Sequence, residues 1–457
     1  MFDDVANKQV FAEAQRYALE YMDRVSHRSV FPDSEAMDGL QVFDEPLPEN
    51  PTPGSEVIST LNDFGSPATV AQTGSRYFGF VNGNVVPTAL AASWLAGAWD
   101  QNSALGVMSP IAAKLEAICE EWLVELLGLP EGTAAGLVGG TSVATLCGLA
   151  AGRYSILKRL GWDVNADGFR GAPPVRFVAH VGSHASVFKA LALLGIGRNE
   201  VELVSSDSQG RIDPNQLPAP DENAILILQA GNVNSGAFDR FSSICAQGRD
   251  SWGWIHVDGA FGLWAAASPK LEGLTAGMEL ADSWSADGHK TLNTPYDCGV
   301  ILCRDREALL GSMHTGASYL PRGDQRDGMA YGPDMSRRAR SVELWATLKY
   351  LGRSGVVDLV DGLHERAVQF SEELSEQGFR VLNDVVFNQV LIAGETPEQT
   401  ESVLARIQGG PVLWCGGTTW NHEPAIRVSV CSWATTETDV RKCVAAFSEA
   451  RDAGFKG

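Results

Sequence analysis

The chain has 457 residues, 44% of them hydrophobic, which predicts one large domain and a smaller one with substantial cores. Its formal net charge of −21 argues against nucleic-acid or anionic-membrane partners, because the basic surface that binds phosphates is missing. The eight cysteines form no CxxC pair and the N-terminus has no apolar signal stretch, so we expect a cytoplasmic protein with free thiols and no metal site.

Residues 1–74 are predicted to form an N-terminal arm. Apolar side chains recur on one face of residues 8–25, as in an amphipathic helix. Residues 43–54 contain four prolines and predict an extended linker. The helix packs either on its own domain or on a neighbouring subunit, and the sequence leaves both arrangements open.

Residues 75–350 are predicted to form a doubly wound α/β domain, because strand-like apolar runs alternate with helical patterns. The predicted strands cover residues 135–138, 175–181, 201–204, 224–229, 254–257 and 299–302. The predicted helices cover residues 88–99, 110–127, 141–153, 184–194 and 341–351. Residues 351–457 continue with a helix over 356–377 and then mix strands with two further helices, which predicts a smaller α+β domain.

A glycine turn follows the first predicted strand of this domain. It reads Gly139-Gly140-Thr141-Ser142 and leads directly into a helix. Backbone N–H groups, the helix dipole and two hydroxyls can converge there on a phosphate. Ordinary helix capping is the commoner explanation of such a turn when it stands alone.

Two later segments deliver a carboxylate and an amine to strand ends. The buried run 254–257 ends in Asp258, and a second segment ends in Asp287-Gly288-His289-Lys290. Ligands of open α/β sheets lie beyond the carboxyl ends of the strands, so Asp258 and Lys290 can face one ligand. Pyridoxal phosphate requires this pair: a lysine for the Schiff base, and a carboxylate that keeps the pyridine nitrogen protonated.

Residues 311–336 contain few apolar side chains and many Gly, Pro, Asp and Arg residues. A connection of this length is usually functional or disordered. Gly328 and Gly332 flank Tyr331, which suits a mobile lid that carries one aromatic hydroxyl. A loop tyrosine without a catalytic role explains the pattern equally well.

Five blocks occur in an order that resembles the pyridoxal-phosphate-dependent decarboxylases of the aromatic-amino-acid and glutamate decarboxylase group. The most specific block is ADSWSADGHKTLNTPYDCGVILCRD at 281–305. The others are MSPIAAKLEAICEEWLVELLGLP at 108–130, GNVNSGAFD at 231–239, residues 256–262, and SRRARSVELWATLKYLG at 336–352. The resemblance implies the aspartate aminotransferase-like fold type I, with a large, mostly parallel seven-stranded sheet, and a homodimer with active sites near the interface.

The resemblance also implies roles for individual residues. Lys290 matches the Schiff-base lysine, and Asp258 matches the partner of the pyridine nitrogen. His184 matches the histidine that stacks on the cofactor ring and helps to position or protonate the substrate. The remaining cofactor contacts that it implies are Thr141, Ser142 and His289 at the phosphate, Asn234 (with Asn232) near the phenolic oxygen, and Ala260 under the ring.

Other side chains match the family less specifically. Tyr331 is the candidate for the loop tyrosine that returns a proton after carbon dioxide leaves. Arg338, Arg340 and Arg427 are candidate anion binders, although a structural ion pair is the plainer explanation of Arg338. The candidate pocket walls are Tyr77, Phe78, Phe80, Trp94 and Trp99, although an aromatic core is the commoner explanation of each.

Three positions depart from the family pattern: Val143 in the cradle, Gly259 beside Asp258, and Thr291 after the lysine. None of them removes a group that the cofactor chemistry needs. The sequence therefore predicts an L-amino-acid decarboxylase and favours a substrate with an aromatic side chain. Another pyridoxal-phosphate reaction, such as retro-aldol cleavage, transamination or decarboxylation-dependent oxidation, and a non-catalytic cofactor-binding protein remain the alternatives.

Overall fold

The computed structural model describes residues 1–248, 251–313 and 326–453. These residues form twelve strands in two sheets. In chain order the strands are β1 (Tyr77–Phe78), β2 (Ala134–Val138), β3 (Arg176–His180), β4 (Val201–Val204), β5 (Ala224–Gln229), β6 (Trp254–Asp258), β7 (Ser283–Asp287), β8 (Gly299–Cys303), β9 (Arg380–Val381), β10 (Gln389–Ala393), β11 (Trp414–Trp420) and β12 (Glu423–Ser429).

The larger sheet has seven strands in the order β2-β8-β7-β6-β5-β3-β4. Strand β8 is antiparallel to both of its neighbours, and the other neighbouring pairs are parallel. Helices cover both faces, and central strands such as β5 are accordingly almost entirely apolar. Within β5, Ile225 and Ile227 enter one core cluster while Leu226 and Leu228 enter the other. The predicted α/β fold is confirmed.

The same residues form fifteen α-helices, and most of the predicted ones recur within a few residues of their expected ends. They are α1 (Phe2–Asn7), α2 (Gln9–Arg24), α3 (Ser34–Gly39), α4 (Gly54–Thr60), α5 (Pro87–Trp99), α6 (Pro110–Leu126), α7 (Thr141–Arg159), α8 (Val164–Asp167), α9 (Ala185–Leu193), α10 (Phe241–Gly248), α11 (Glu272–Thr275), α12 (Arg306–Met313), α13 (Ser341–Glu376), α14 (Pro397–Gln408) and α15 (Glu437–Ala453). Cys119 and Leu123 of α6 pack into one core cluster, and Ala144 and Cys147 of α7 pack into the other.

The smaller sheet has the order β1-β11-β12-β10-β9, and α13, α14 and α15 pack against it. Strand β1 joins this sheet by pairing with β11, although residues 75–350 are predicted to belong to the larger domain. Helix α13 also runs through the predicted boundary at residue 350. It consists of two helical stretches that meet at a kink at Gly352, whose φ of 62° favours glycine, and these stretches correspond to the two predicted helices. The predicted division into three segments stays a prediction.

No helix in the described ranges combines the length and the apolar character that crossing a membrane requires.

Candidate active site

A cavity of about 280 Å³ lies beyond the carboxyl ends of β2, β5, β6 and β7. This is where an open α/β sheet places its ligands. Its walls combine ionisable groups, a glycine turn and aromatic rings. The lining residues are Phe80, Val81, Gly139, Gly140, Thr141, Ser142, His184, Ser186, Gln229, Gly231, Val233, Asp258, Ala260, Phe261, Asp287, His289, Lys290 and Tyr296.

Lys290 reaches this cavity from the turn that follows β7. Its Nζ lies 2.9 Å from Oδ2 of Asp287, the last residue of that strand. The other oxygen of Asp287 accepts a hydrogen bond of 2.6 Å from the backbone N–H of Thr141, at the start of α7. Asp287 therefore connects the lysine to the glycine turn. Asp287 belongs to the motif around the lysine, but no role for it was predicted from the sequence.

Asp258 ends β6 and lines the cavity, where it is 8% exposed. Its Oδ1 accepts a hydrogen bond of 3.2 Å from the N–H of Ala260. Burial raises the pKa of Asp258, and the nearby His184 and Lys290 oppose that rise. A cationic ligand group beside Asp258 would stabilise its ionised form.

His184 caps the N-terminus of α9 and presents its ring to the cavity. Its Nδ1 accepts the N–H of Ser186 at 3.2 Å and lies 2.7 Å from the Ser186 hydroxyl. An Nδ1 that accepts a hydrogen bond leaves the proton of a neutral ring on Nε2. Burial lowers the pKa of His184, while the charge of Asp258 acts in the opposite direction.

The glycine turn and His289 line the cavity at the start of α7, a helix of 19 residues whose N-terminus suits an anion. The Thr141 hydroxyl is buried and has no hydrogen-bond partner among the described residues. Nδ1 of His289 accepts the N–H of Cys298 at 3.1 Å, and its ring lies 4.2 Å from that of Tyr296. Burial lowers the pKa of His289. A phosphate would supply the partner that Thr141 lacks.

The cavity therefore brings together seven of the predicted site residues: Thr141, Ser142, His184, Asp258, Ala260, His289 and Lys290. Together they fit pyridoxal phosphate. The glycine turn suits its phosphate, Asp258 suits its pyridinium and Lys290 suits its aldehyde.

Tyr331 does not line this cavity, and its role as the loop tyrosine stays a prediction. Residues 328–331 form a short 3-10 helix that packs beside β2 and α12, and Tyr331 is only 8% exposed. Its hydroxyl accepts a hydrogen bond of 2.9 Å from Nη1 of Arg306, and the Arg326 guanidinium lies 3.7 Å from its ring centre. Cation–π contact and burial explain this position. Residues 314–325 of the predicted lid lie outside the described ranges.

Asn234 does not line the cavity either, so its prediction as a cofactor contact is not supported by the geometry. Its side-chain oxygen accepts a hydrogen bond of 2.9 Å from the hydroxyl of Thr418 in β11. Oδ1 of Asn232 accepts the N–H groups of Asn234 and Ser235, which shapes the turn. Val233 is the residue of this segment that reaches the cavity.

The candidate arginines have two kinds of surroundings. Arg338 and Arg340 pair with Asp297 at 2.7 and 2.8 Å, which supports the structural explanation of Arg338. Arg427 donates a hydrogen bond of 2.9 Å to the carbonyl of Val233, just behind the cavity wall.

Of the candidate aromatic walls, Phe80 alone lines the cavity. Tyr77 stacks on Trp414 and Phe78 packs in the core of the smaller sheet. Trp94 and Trp99 of α5 are partly exposed away from the cavity. Several wall residues had no role predicted from the sequence: Ser186, Gln229, Val233, Phe261, Asp287 and Tyr296. Phe261 follows Asp258 by three residues and Tyr296 follows Lys290 by six. This closeness in sequence to the two predicted site residues was the signal that could have identified both rings as part of the cavity wall.

The fold and this site define a pyridoxal-phosphate-dependent lyase of fold type I. A sequence profile of the family described as "Pyridoxal-dependent decarboxylase conserved domain" matches residues 38–392. The chain therefore belongs to the pyridoxal-dependent decarboxylase family, and its cofactor is pyridoxal phosphate. The predicted class of enzyme, an amino-acid decarboxylase, is confirmed.

Individual relatives agree with this assignment. An aromatic-L-amino-acid decarboxylase from Cavia porcellus is 24% identical over 443 residues, which cover 91% of each chain. The enzyme of the same name from Bacillus atrophaeus is 26% identical over 379 residues, or 78% of this chain and 76% of that one. The crystal structure of Oryza sativa TDC with pyridoxal phosphate and tryptamine superposes with a TM-score of 0.90 and 21% identity, and covers 99% of this chain and 98% of that one.

Proposed function

We propose that the protein decarboxylates an L-amino acid with an aromatic side chain, and that Lys290 is the covalent attachment point of the cofactor. One observation carries this proposal. The amine of Lys290, the buried carboxylate of Asp258 and the glycine turn that begins α7 all face one cavity, which aromatic rings also line.

Each polar group has a distinct task. Bound pyridoxal phosphate supplies an electron sink for the electron pair that remains when the carboxylate departs. Asp258 holds the pyridine nitrogen protonated, while Thr141, Ser142 and His289 hold the phosphate. His184 lines the same cavity and orients the substrate, and its ring, once protonated, would return a proton to the α-carbon. Asp287 holds the Lys290 amine in place through their 2.9 Å contact.

The aromatic preference rests on the cavity wall. Phe80, Phe261 and Tyr296 contribute rings, and Val81 and Val233 contribute aliphatic surface. Phe80 is 60% exposed and Tyr296 is 50% exposed, so both rings can pack on an incoming side chain. The names of the relatives from Cavia porcellus and Bacillus atrophaeus support the same substrate class.

The proposal includes a homodimer. Helix α2 carries no buried residue, although its apolar side chains share one face. Helix α5 exposes Trp94, Leu95 and Trp99 to a degree that is unusual for a monomer. These two helices form an apolar surface that a second copy of the chain can cover, which also favours the subunit-crossing arrangement of the arm.

A cytoplasmic location and the lack of nucleic-acid or membrane partners also remain proposals. All eight cysteines are buried and unpaired, as expected in a reducing compartment. The net charge of −21 disfavours binding to phosphate polymers and anionic lipids.

The direct test is the mass of the product after the cofactor-loaded protein is incubated separately with each common L-amino acid and with several β-hydroxy amino acids. A product lighter by one carbon dioxide, formed fastest from tryptophan, tyrosine or phenylalanine, would support the proposal. Faster turnover of an acidic amino acid would contradict only the preference for an aromatic side chain and would leave decarboxylation as the reaction. Formation of glycine and an aldehyde from a β-hydroxy amino acid would show that the protein catalyses aldol cleavage instead of decarboxylation.

A further inference from the structure

Asn293 follows Lys290 by three residues and is completely buried. Its φ of 55° lies in the left-handed region, which asparagine and glycine tolerate better than other residues. Its backbone N–H donates to the carbonyl of Lys290 at 3.0 Å, so the turn closes directly on the lysine. The local backbone accounts for an asparagine or glycine here, but it does not explain why the side chain is present.

The Asn293 side chain uses its full hydrogen-bonding capacity. Its amide donates to the carbonyls of Lys290, Thr291 and Cys431 at 2.9, 3.0 and 2.9 Å. Its oxygen accepts the N–H groups of Asn84 and Trp433 at 3.2 and 3.0 Å. A buried amide with every donor and acceptor satisfied fixes the relative positions of all its partners.

These partners come from three separate stretches of the chain. The first is the Lys290 turn, the second is the segment 82–86 that follows β1, and the third is residues 431–433 that follow β12. Asn84 also donates to the hydroxyl of Ser432 at 2.8 Å, and Val86 donates its N–H to the carbonyl of Asn293 at 2.8 Å. Both β1 and β12 belong to the smaller sheet, so the contacts join that sheet to the lysine.

Close packing reinforces the same junction. Gly83 donates its N–H to the carbonyl of His289 at 3.3 Å. A Cβ at Gly83 would collide with the backbone carbonyls of His289 and Lys290. The segment 82–86 therefore lies directly against the two residues that hold the phosphate and the aldehyde in the proposed function.

We propose that Asn293 is a positioning residue that holds the Lys290 turn in register with the smaller sheet. This inference rests on the proposed role of Lys290. Asn293 itself does not touch the cavity, so it acts through the backbone of the lysine. A displacement of a reacting group by 1 Å can cost about a hundredfold in rate, so a side chain that fixes this backbone affects turnover.

The test compares Asn293→Gly with Asn388→Ala in the full-length, cofactor-loaded protein. Glycine adopts the same φ without strain, so the first variant removes the side-chain contacts and keeps the turn. Asn388 is the matched control: it is also completely buried, and its amide donates to the carbonyl of Val430 at 2.9 Å. None of the hydrogen bonds of Asn388 involves residues 289–293 in the described part of the chain.

Four quantities are measured for each variant: the rate of cofactor release, the pH titration of the absorption band of the lysine-bound cofactor, kcat against KM, and hydrogen exchange. We expect Asn293→Gly to release the cofactor about tenfold faster and to lose about tenfold in kcat, with a small change in KM. Its titration midpoint should shift, and the Asn84 and Trp433 amides should exchange faster. Asn388→Ala should change the melting temperature without these effects.

Equal behaviour of the two variants would overturn the proposal, because it would reduce Asn293 to a structural role. If Asn293→Gly fails to fold, Ser432→Ala loosens the same junction from the other side, and we expect about a threefold change in the same direction. No change in Ser432→Ala would then overturn the proposal. Absence of the absorption band in the unaltered protein would overturn the role of Lys290 together with this inference, so the two failures are distinguishable.

Discussion

Asp258 and Asp239 are two buried carboxylates near the same end of the larger sheet, and burial raises the pKa of both. Asp239 is 2% exposed, and its oxygens accept the backbone N–H groups of Ile212 and Gln229 at 2.7 and 2.8 Å. Asp258 accepts one N–H, from Ala260, and faces the cavity. Burial and a raised pKa therefore do not separate a functional carboxylate from a structural one. The two carboxylates differ in the hydrogen-bonding capacity that each has left for a ligand.

The most severe change in this comparison is Asp258→Asn. Asparagine can still accept the N–H of Ala260, so folding is preserved, but it cannot stabilise a pyridinium by charge. We expect kcat to fall by about a thousandfold, the upper range for loss of one preorganised electrostatic group. Steady-state kinetics with saturating cofactor measure this loss. A variant with more than a third of the normal kcat would show that Asp258 resembles Asp239 after all.

Asp239→Asn should give the reverse pattern. One of the two backbone N–H groups would then face an amide NH₂, and an unsatisfied buried donor costs about 1–3 kcal/mol. We expect the free energy of unfolding to fall by about that amount while kcat of the folded fraction stays within about twofold. Urea denaturation and kinetics on the same sample measure the two quantities. A large loss of kcat at unchanged stability would move Asp239 into the catalytic site.

Asp239 also predicts a pH dependence of stability. Burial raises its pKa to about 7, above the value of an unfolded aspartate. Between these two values the folded protein binds more protons than the unfolded chain, so this contribution is fully present below the unfolded pKa and is lost as the pH rises through about 7. Urea denaturation at pH 5 and pH 8 should show a decline that Asp239→Asn removes. An identical decline in the variant would assign the effect to other groups.

The smallest expected effect concerns Tyr331. Tyr331→Phe removes the hydrogen bond from Arg306 and keeps the ring beneath Arg326, so we expect a loss of about 1 kcal/mol in the free energy of unfolding. The value of kcat should stay unchanged. Thermal denaturation and kinetics provide the check, and a tenfold drop in kcat would support a catalytic role for Tyr331.

The sequence was sufficient to predict the residues that strands deliver. Asp258 ends an apolar strand and Lys290 follows the end of a second short segment, so the geometry of an open α/β sheet brings them together without further information. The alternation of strands and helices was visible for the same reason, since each buried strand is a short apolar run between turn residues.

Positions that depend on distant partners were not predictable. Tyr331 is held by Arg306 and Arg326, and Asn234 by Thr418, which lies 184 residues away in another sheet. The pairing of Tyr77–Phe78 with β11 likewise joins segments more than 300 residues apart. Local composition marked the segment around Tyr331 as a loop, but burial beside β2 arises from contacts that no local pattern contains.

The central claim is that Lys290 carries the cofactor. Borohydride reduction of the cofactor-loaded protein fixes the link between lysine and cofactor, and mass spectrometry of the proteolytic peptides then locates it. We predict a phosphopyridoxyl group on Lys290 in the unaltered protein and its loss in Lys290→Ala. A label on another lysine, or an unlabelled Lys290 in protein that retains the cofactor, would contradict the account.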